Sequence, residues 1–472
     1  MALAIFSEER RKWWTLAAVS FGLFMIMLDN TVVNVALPAI QEDLGASLSE
    51  LQWIVAGYAL TFAALMLIGG KLADAFGRRL IFVIGIVIFT AASLWCGLSD
   101  TGEMLIVARA VQGAGAALMN PATLSIISAT FPPKQRGAAI GIWAGVSALA
   151  LAIGPLVGGL LTEHLSWHWI FFINVPVGMI AIAATFLLVT ESKDETHVSL
   201  DLPGLGTSAL GLFALTYGLI EANTYGWTSA RIVGSFVVAV VALVSFVMIE
   251  RRRRFPMLDL TLFRSGTYTG ANVAMLLVAL SMFGVFFFVS LYMQNVLGYS
   301  AVQAGAAFLP MTLLIILIAP IAGKTSDRFG SRWLMTIGMV LLGVQLLYFS
   351  QLSSTADFWN LLPGFILGGV GMSMAMTPTA AAATRAVPVH KSGVGSAVLN
   401  AMRQVGGSIG IALMGAIVAA QVSGNPGVEG FMAGFERALI VAAVIAFLGS
   451  IVAYALVRQE PEQVTAPVEV AA

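Results

Sequence analysis

Long apolar runs separated by short polar segments dominate the chain. A run of about 20 apolar residues is long enough to cross a bilayer as a helix, and the sequence contains fourteen such runs. They lie near 14–37, 51–71, 80–98, 104–128, 137–161, 168–190, 203–222, 231–250, 268–294, 302–322, 333–351, 358–382, 394–420 and 436–457. The pattern predicts an all-α membrane protein with fourteen transmembrane helices.

A charged decapeptide occurs twice between these runs. GKLADAFGRR at 70–79 and GKTSDRFGSR at 323–332 are identical at six of ten positions and lie 253 residues apart. Six crossings with short loops need about 200 residues, so the surplus of about 50 residues equals one helical hairpin. The repeat therefore predicts two six-helix bundles. We place them at 1–192 and 265–458, with a linker and inserted transmembrane hairpin at 193–264 and a cytoplasmic tail at 459–472.

The positive charges support this count and give an orientation. With a cytoplasmic N-terminus, all but four of the 24 Lys and Arg residues fall in cytoplasmic segments. The exceptions are Arg109, Arg231, Arg403 and Arg437. This distribution follows the positive-inside rule and predicts that both termini are cytoplasmic. Short loops and the absence of an N-x-S/T sequon favour a bacterial cytoplasmic membrane.

Composition excludes several classes of protein. The chain is 59% hydrophobic and 10% charged, whereas soluble proteins carry about 25% charged residues. Its formal net charge of zero suggests no nucleic-acid partner. His164 and His168 imitate the spacing of zinc ligands, but the H-E-x-x-H order and a third ligand are missing, so we predict no metal site. Without a G-x-S-x-G motif or a P-loop, we expect neither an enzyme nor a cofactor.

Two ionisable residues inside the first bundle are candidates for function, because such residues are costly in a membrane. Asp29 lies roughly 12 Å and Arg109 roughly 9 Å from the outer ends of their runs, at 1.5 Å per residue. Two groups at matching depth can form a static ion pair or a protonation switch. Burial penalises a charged carboxyl and a nearby guanidinium favours it, so a change of surroundings can move a proton. Asn30, Asn34 and Gln112 are polar neighbours that can orient the pair.

Arg403 is the corresponding candidate in the second half. It lies about 10 residues into the thirteenth run, one turn after Asn400. No acidic residue lies well inside any of the last six runs. Arg403 therefore has two open roles, as a link between helices or as a substrate contact.

The decapeptides and one glycine-rich segment are candidates for moving parts. Gly70 and Gly77 permit close backbone approach, and Asp74 can pair with Arg78 and Arg79 or accept hydrogen bonds from a helix N-terminus. Such a latch would close the cytoplasmic side of the protein. Its second copy contributes Asp327 and Arg332. In the fifth run, a flexible or tightly packed bend is predicted around Gly154, Pro155, Gly158 and Gly159.

These motifs together resemble the major facilitator superfamily, specifically its fourteen-span drug:proton antiporter branch. The similar segments are LDNTVVNVALP (28–38), the first decapeptide, RAVQGAGAAL (109–118), IGPLVGGLL (153–161) and WHWIFFINVPVG (167–178). The resemblance implies alternating access to a central cavity and proton-driven export of amphipathic compounds. It assigns proton coupling to Asp29 and Arg109, and gating to Gly70, Asp74, Gly77 and Arg78.

Two departures bear on the substrate. The branch usually carries Arg where this chain has His168, and its members that export dications are expected to have a further intramembrane acid in the second half. A preference for dications is therefore not expected, and neutral, anionic or monocationic amphiphiles remain open. The alternative function is export of a lipid or metabolite by the same fold. We expect protons, small amphipathic substrates and membrane lipids as partners of a monomer.

Overall fold

The computed structural model describes residues 8–193, 201–253, 256–387 and 392–458, and helices are the only regular secondary structure in these ranges. The predicted cytoplasmic tail at 459–472, Arg254 and part of the predicted linker, 194–200, lie outside the described residues.

The helices follow the predicted order of six crossings, two inserted crossings and six more. The first group comprises α1 (Glu8–Leu44), α2 (Leu48–Phe76), α3 (Arg78–Gly97), α4 (Gly102–Thr130), α5 (Pro133–His164), α6 (Trp169–Phe172) and α7 (Asn174–Leu188). The hairpin comprises α8 (Leu202–Tyr225) and α9 (Ala230–Arg252). The last group comprises α10 (Gly266–Leu291), α11 (Ala301–Ala307), α12 (Leu309–Phe329), α13 (Arg332–Phe349), α14 (Phe358–Arg385), α15 (Ser392–Gly424) and α16 (Val428–Leu456).

Within the described residues, thirteen helical segments are long and apolar enough to cross a membrane. The short helices α6 and α11 each form one crossing with the helix that follows. The remaining predicted crossing is α4, a continuous helix of 29 residues that contains the buried polar residues Arg109, Gln112 and Asn120. These polar residues lower the hydropathy of α4, which is not among the thirteen segments.

Helix ends are marked by short-range signals. Ser47 and Glu50 form a capping box at the start of α2, and Ser300 and Gln303 form one at the start of α11. Gly77 and Gly330, the repeat-related glycines of the two decapeptides, end α2 and α12 with φ of 121° and 83°. Residues with a Cβ rarely adopt these angles, which explains why glycine occurs in both copies.

The two halves use the same helix pairings. In the first half α4 packs against α2 and α3, and α1 packs against α5. In the second half α14 packs against α12 and α13, and α10 packs against α15. The predicted fold, two six-helix bundles with two inserted helices, is confirmed.

The halves meet at one face of the molecule. We call the face where α1 and α5 end the distal face, and the face where α1 begins the proximal face. At the distal face Glu163 accepts a hydrogen bond from the backbone N of Val302 (2.8 Å), and Gln294 donates to the backbone O of Val35 (2.9 Å). Helix α5 packs against α11 and α12, and α2 packs against α15.

The inserted hairpin lies on the α2–α15 contact. On α8, Glu221 accepts hydrogen bonds from Ser49 Oγ (2.9 Å) and Trp53 Nε1 (3.0 Å) of α2. Two residues later, Asn223 donates to the backbone O of Ala416 in α15 (2.7 Å). The same helix is therefore hydrogen-bonded to both halves.

Candidate functional site

A buried ion pair lies in the middle of the first bundle. Asp29 of α1 and Arg109 of α4 are 0% and 1% exposed, and Arg109 Nη1 lies 2.6 Å from Asp29 Oδ2. Arg109 also donates through Nε to the backbone O of Ile54 (3.2 Å) and through Nη1 to Gln112 Oε1 (2.6 Å). Arg109 and Gln112 are three residues apart on one helix and so share a face. The structure thus brings together Asp29, Arg109 and Gln112.

Three residues that the sequence analysis missed complete this cluster. Gln112 Nε2 donates to Asp29 Oδ1 (2.9 Å) and to Ser93 Oγ (2.6 Å). Asn174 Nδ2 donates to the same two atoms, at 3.4 and 3.1 Å. The Tyr58 ring lies under the Arg109 guanidinium, 4.3 Å from its centroid, in cation–π geometry. Asn174 could have been identified from the sequence, because it is a polar residue next to an apolar run in the segment 167–178. Nothing in the sequence singles out Tyr58 or Ser93.

The arrangement gives the Asp29 carboxylate three donors, one of them charged. Burying two charges is costly, and good geometry with extra hydrogen bonds offsets that cost. Removing one member of such a pair is destabilising by about 3–5 kcal/mol, because the other charge remains buried. A single proton on Asp29 would have the same electrostatic consequence for Arg109, so the cluster is chemically suited to respond to protonation.

Asn30 and Asn34 do not contact the ion pair. Each donates to the backbone of its own helix one turn earlier, Asn30 to Ile26 O (2.8 Å) and Asn34 to Asn30 O (3.2 Å). Both side chains are partly exposed in the middle of the chain's first crossing. In the second half, Asn400 likewise donates to Ser396 O (3.1 Å).

Arg403 is unpaired among the described residues. Its side chain is partly exposed, but its Nε is fully buried and has no hydrogen-bond partner there. The titratable group within its electrostatic reach is the Tyr58 hydroxyl, on the other half of the molecule.

Asp74, Arg78 and Arg79 of the first decapeptide form ion pairs within their own bundle, whereas Lys71 donates to the backbone O of Pro256 in the linker (2.8 Å). Asp74 pairs with Arg78 (3.0 Å), whereas Arg79 Nε lies 3.8 Å from Glu191. Glu191 also accepts hydrogen bonds from the backbone N of Arg79 (3.0 Å) and Leu80 (3.1 Å). The acid at the N-terminus of α3 is therefore Glu191 and not Asp74, and this residue was missed from the sequence.

The expected close approach at Gly70 was wrong. A Cβ added at Gly70 would meet the Pro121 side chain at an ordinary 3.5 Å, whereas one at Gly69 would clash with the backbone O of Ala117. The preceding glycine faces α4, because successive helical residues point about 100° apart. Gly77 does pack tightly, since an added Cβ would lie 2.8 Å from the Glu191 carboxyl.

The second decapeptide uses different partners. Asp327 pairs with Arg385 of α14 (2.7 Å), which also donates to Ser326 Oγ (3.0 Å) and Ser331 Oγ (2.6 Å). Arg332 stacks on the Tyr454 ring, 4.0 Å from its centroid. Asp327 and Arg332, the two residues predicted there, are thus not partners of each other.

The glycine-rich segment of α5 is tightly packed. The helix runs through Pro155 without interruption from Pro133 to His164. Gly154 faces Thr31 of α1, and a Cβ at Gly158 would come 2.7 Å from Val32 O. Gly159 meets the backbone of Ala301 in α11 in the same close manner. The segment therefore joins α5 to α1 and to the other half.

A separate apolar groove lies between the first halves of α1 and α5. It has a volume of about 480 Å³ and is lined by Trp13, Phe21, Phe24, Ile142 and Leu149, among others. The buried Ser20 hydroxyl also lines it and has no hydrogen-bond partner among the described residues. None of its described lining residues is ionisable, and none belongs to the charged cluster. Elsewhere in the described ranges, no group of three His, Cys, Asp or Glu residues is placed to hold a metal.

Twelve crossings in two similar bundles, two inserted crossings and a charged cluster inside the first bundle define a multi-pass membrane protein. The family model described as Major Facilitator Superfamily matches residues 19–411 and 271–472. The chain therefore belongs to the major facilitator superfamily.

Curated relatives and solved structures agree with this family. The chain is 39% identical over 413 residues to the tetracenomycin C resistance and export protein of Streptomyces glaucescens, covering 87% of this chain and 77% of that one. It is 35% identical over 468 residues to the puromycin resistance protein pur8 of Streptomyces alboniger, covering 96% and 93%. A bacterial homolog of the human lysosomal transporter Spinster, solved in an inward-facing, unoccupied conformation, has a TM-score of 0.66 at 18% identity, covering 96% and 99%. That likeness concerns the fold alone.

Proposed function

We propose that the protein is a proton-coupled multidrug efflux antiporter that exports amphipathic, hydrophobic compounds by alternating access. Its relatives are named for resistance to antibiotics or for their export, which supports drug efflux. It acts without a catalytic reaction and without a cofactor, since the proton gradient drives it. One charge that crosses 100 mV is worth about 2.3 kcal/mol, which corresponds to a concentration ratio of about fifty.

The buried pair of Asp29 and Arg109 carries this proposal. In the state described, the carboxylate is held by Arg109, Gln112 and Asn174 and is fully buried. A proton that arrives when the cavity opens to the outside neutralises Asp29 and releases Arg109 from its partner. The loss of that contact favours the return of the helices, and the proton leaves on the other side.

The remaining predicted residues have supporting roles in this cycle. Asp74, Arg78 and Arg79 with Gly70 and Gly77 form a gate at the proximal face, and Asp327 and Arg332 belong to its second copy. Gly154, Pro155, Gly158 and Gly159 allow α5 to shift against α1. Asn30, Asn34, Asn400 and Arg403 line the route of the substrate. We place the protein as a monomer in a bacterial cytoplasmic membrane with the proximal face and both termini in the cytoplasm.

Counterflow in proteoliposomes tests the proposal. Purified protein is reconstituted, a pH gradient is imposed, and uptake or release of a panel of amphipathic dyes is followed. Asp29→Asn keeps the size of the side chain and an oxygen that accepts from Arg109, but it cannot titrate. We expect this variant to bind dye and to lose pH-driven counterflow.

The matched control is Asp100→Asn, which removes a carboxylate from an exposed position between α3 and α4. It should transport like the wild type. Undiminished pH-driven counterflow in Asp29→Asn would refute the coupling role of Asp29.

A lipid or metabolite exporter of the same fold is the second candidate, and the apolar groove between α1 and α5 favours it. Its lining suits an acyl chain better than a polar drug. Ala17→Trp, which would fill the groove, should block transfer of a fluorescent lipid between leaflets if this candidate is right. If the wild-type protein transfers lipid no faster than empty liposomes, or if Ala17→Trp transfers lipid as fast as the wild type, the second candidate is rejected.

A further inference from the structure

Arg403 is a positive charge inside a membrane helix without a compensating acid. Its Nε is buried with no partner, and no described carboxylate lies within ion-pair distance of its guanidinium. An arginine at the centre of a membrane helix costs about 2.5–3.5 kcal/mol on insertion scales. The Arg403 guanidinium, which is partly exposed and unpaired among the described residues, is therefore free to donate hydrogen bonds to an acceptor.

The Tyr58 hydroxyl is likewise free to donate a hydrogen bond. Tyr58 is 1% exposed, and its Oη has no hydrogen-bond partner among the described residues. The Asn30 side chain lies beside it without reaching hydrogen-bonding geometry. Because the Tyr58 ring is fixed under the Arg109 guanidinium (4.3 Å), the position of the hydroxyl is fixed as well.

Tyr58 and Arg403 belong to opposite halves of the molecule. Tyr58 lies on α2 and Arg403 on α15, two helices that pack together, and the two side chains are within electrostatic reach of each other. The side chains of Asn30 and Arg403 are partly exposed. The junction of the halves therefore carries a guanidinium and a hydroxyl, each a donor that lacks a partner among the described residues.

The buried Asp29 is not available to neutralise Arg403. Both oxygens of Asp29 are occupied, one by Arg109 and the other by Gln112 and Asn174. The ion pair has no net charge, so the junction retains the single positive charge of Arg403. A cationic ligand would be repelled, and a ligand with an acceptor oxygen would satisfy both unpartnered groups.

We propose that Arg403 and Tyr58 Oη form a binding subsite for an acceptor oxygen of the transported compound. The substrate class is then aromatic or otherwise apolar amphiphiles that bear a carboxylate, an ionised phenol or enol, or a carbonyl group, and not cations. This inference rests on the proposed export function, because it names the compounds that the exporter binds. Hydrogen bonds from a charged donor contribute about 1.5–3 kcal/mol, which corresponds to roughly a 10- to 150-fold difference in affinity.

Three fluorescent compounds on one scaffold test the subsite. They are anthracene-2-carboxylate, anthracene-2-carboxamide and 2-(aminomethyl)anthracene, titrated against purified protein in lipid nanodiscs, with empty nanodiscs to subtract partition into lipid. We expect the carboxylate to bind at least 10-fold more tightly than the ammonium compound, with the carboxamide between them.

Variants assign the preference to the two residues. Arg403→Gln should remove the preference for the carboxylate while affinity for the ammonium compound stays equal or rises. Arg403→Lys keeps the charge and should retain most of the preference. Tyr58→Phe should weaken binding of the carboxylate and the carboxamide several-fold and leave the ammonium compound unchanged. Thermal unfolding of each variant checks that it is folded.

Several outcomes would overturn the subsite. They are an ammonium compound that binds wild-type protein as tightly as the carboxylate, an equal loss for all three compounds in Arg403→Gln, or no binding of any of them. These measurements need no gradient. If the selectivity is found but pH-driven counterflow is absent, the proposed antiport is wrong and the subsite stands; if counterflow is present without the selectivity, only the subsite is wrong.

Discussion

Each half of the molecule carries one arginine in the interior of a crossing helix, and the two arginines differ in burial and in hydrogen-bond partners. Arg109 is 1% exposed and bonded to Asp29, Gln112 and the backbone of Ile54, with Tyr58 against its face. Arg403 is partly exposed and has a buried Nε without a partner. The helix pairings are repeated between the halves and the charges are not. Duplication of a fold therefore leaves each copy free to take a separate task, and the tasks that we propose are proton response in the first half and ligand recognition in the second.

The largest expected effect comes from breaking the paired arginine. Arg109→Gln should lower the free energy of unfolding by about 3–5 kcal/mol, because it leaves the Asp29 carboxylate buried and unpaired. Adding Asp29→Asn should recover most of that loss, while pH-driven counterflow stays absent. Thermal unfolding in detergent measures both changes. Arg437→Gln, at an exposed site on α16, is the control and should be neutral; a double variant as unstable as the single one would mean that charge pairing is not what stabilises the cluster.

Replacing the unpaired Arg403 should change the free energy of unfolding in the opposite direction. Arg403→Gln removes an uncompensated charge from the membrane, so stability should stay unchanged or increase, by up to about 3 kcal/mol. The same unfolding assay, run beside Arg109→Gln, makes the comparison direct. A loss as large as that of Arg109→Gln would show that Arg403 is paired in solution and that the two halves are electrostatically alike.

Close helix packing at glycines is a feature that the two halves share, and glycine substitutions test it. Gly158 packs against Val32 O, and Gly410 packs still more closely against Leu280 O. Gly158→Ala and Gly410→Ala should each cost about 1–3 kcal/mol through overpacking. Gly141, which has open space around it, is the matched control, and Gly141→Ala should be neutral or stabilising by up to about 1 kcal/mol. Similar losses from all three substitutions would argue against close packing as the reason.

The smallest effect is expected at the helix caps of the two decapeptides. Glu191→Gln removes a charged acceptor from the N-terminus of α3 and should cost about 0.5–2 kcal/mol. Asp327→Asn breaks a pair whose side chains are 43% and 72% exposed, and such pairs contribute about 0–1 kcal/mol. Unfolding in urea or by heat distinguishes the two. An equal or larger loss for Asp327→Asn would reverse the ranking.

Much of the fold could be predicted because its signals are local. Run length gave the crossings, and the charged decapeptide gave the repeat; both follow from what a bilayer requires of a helix. Asp29 and Arg109 were found because ionisable residues are rare inside apolar runs, and their matching depth indicated that they could meet.

The rest of the cluster depends on how helices are rotated about their axes. Tyr58, Ser93 and Asn174 come from three different helices, and only packing decides that they meet around the same ion pair. The same limit explains why Gly70 was expected to make the close contact that Gly69 makes. Glu191 was missed because it lies more than 100 residues from the α3 N-terminus that it caps. The predicted domain boundaries and the roles of the site residues stay predictions.

The position of α8 has a consequence for how such a molecule changes shape. Helix α8 links the two bundles: Glu221 is hydrogen-bonded to Ser49 and Trp53 of α2, and Asn223 is hydrogen-bonded to Ala416 of α15. If one bundle rotates against the other, either these hydrogen bonds break or both inserted helices move with one of the bundles. In the proposed alternating-access cycle, the two inserted helices would therefore influence the balance between the two orientations, although they contribute no residue to the charged cluster. Removing the hydrogen bonds of Glu221 and Asn223 would then shift that balance without altering the proposed binding residues.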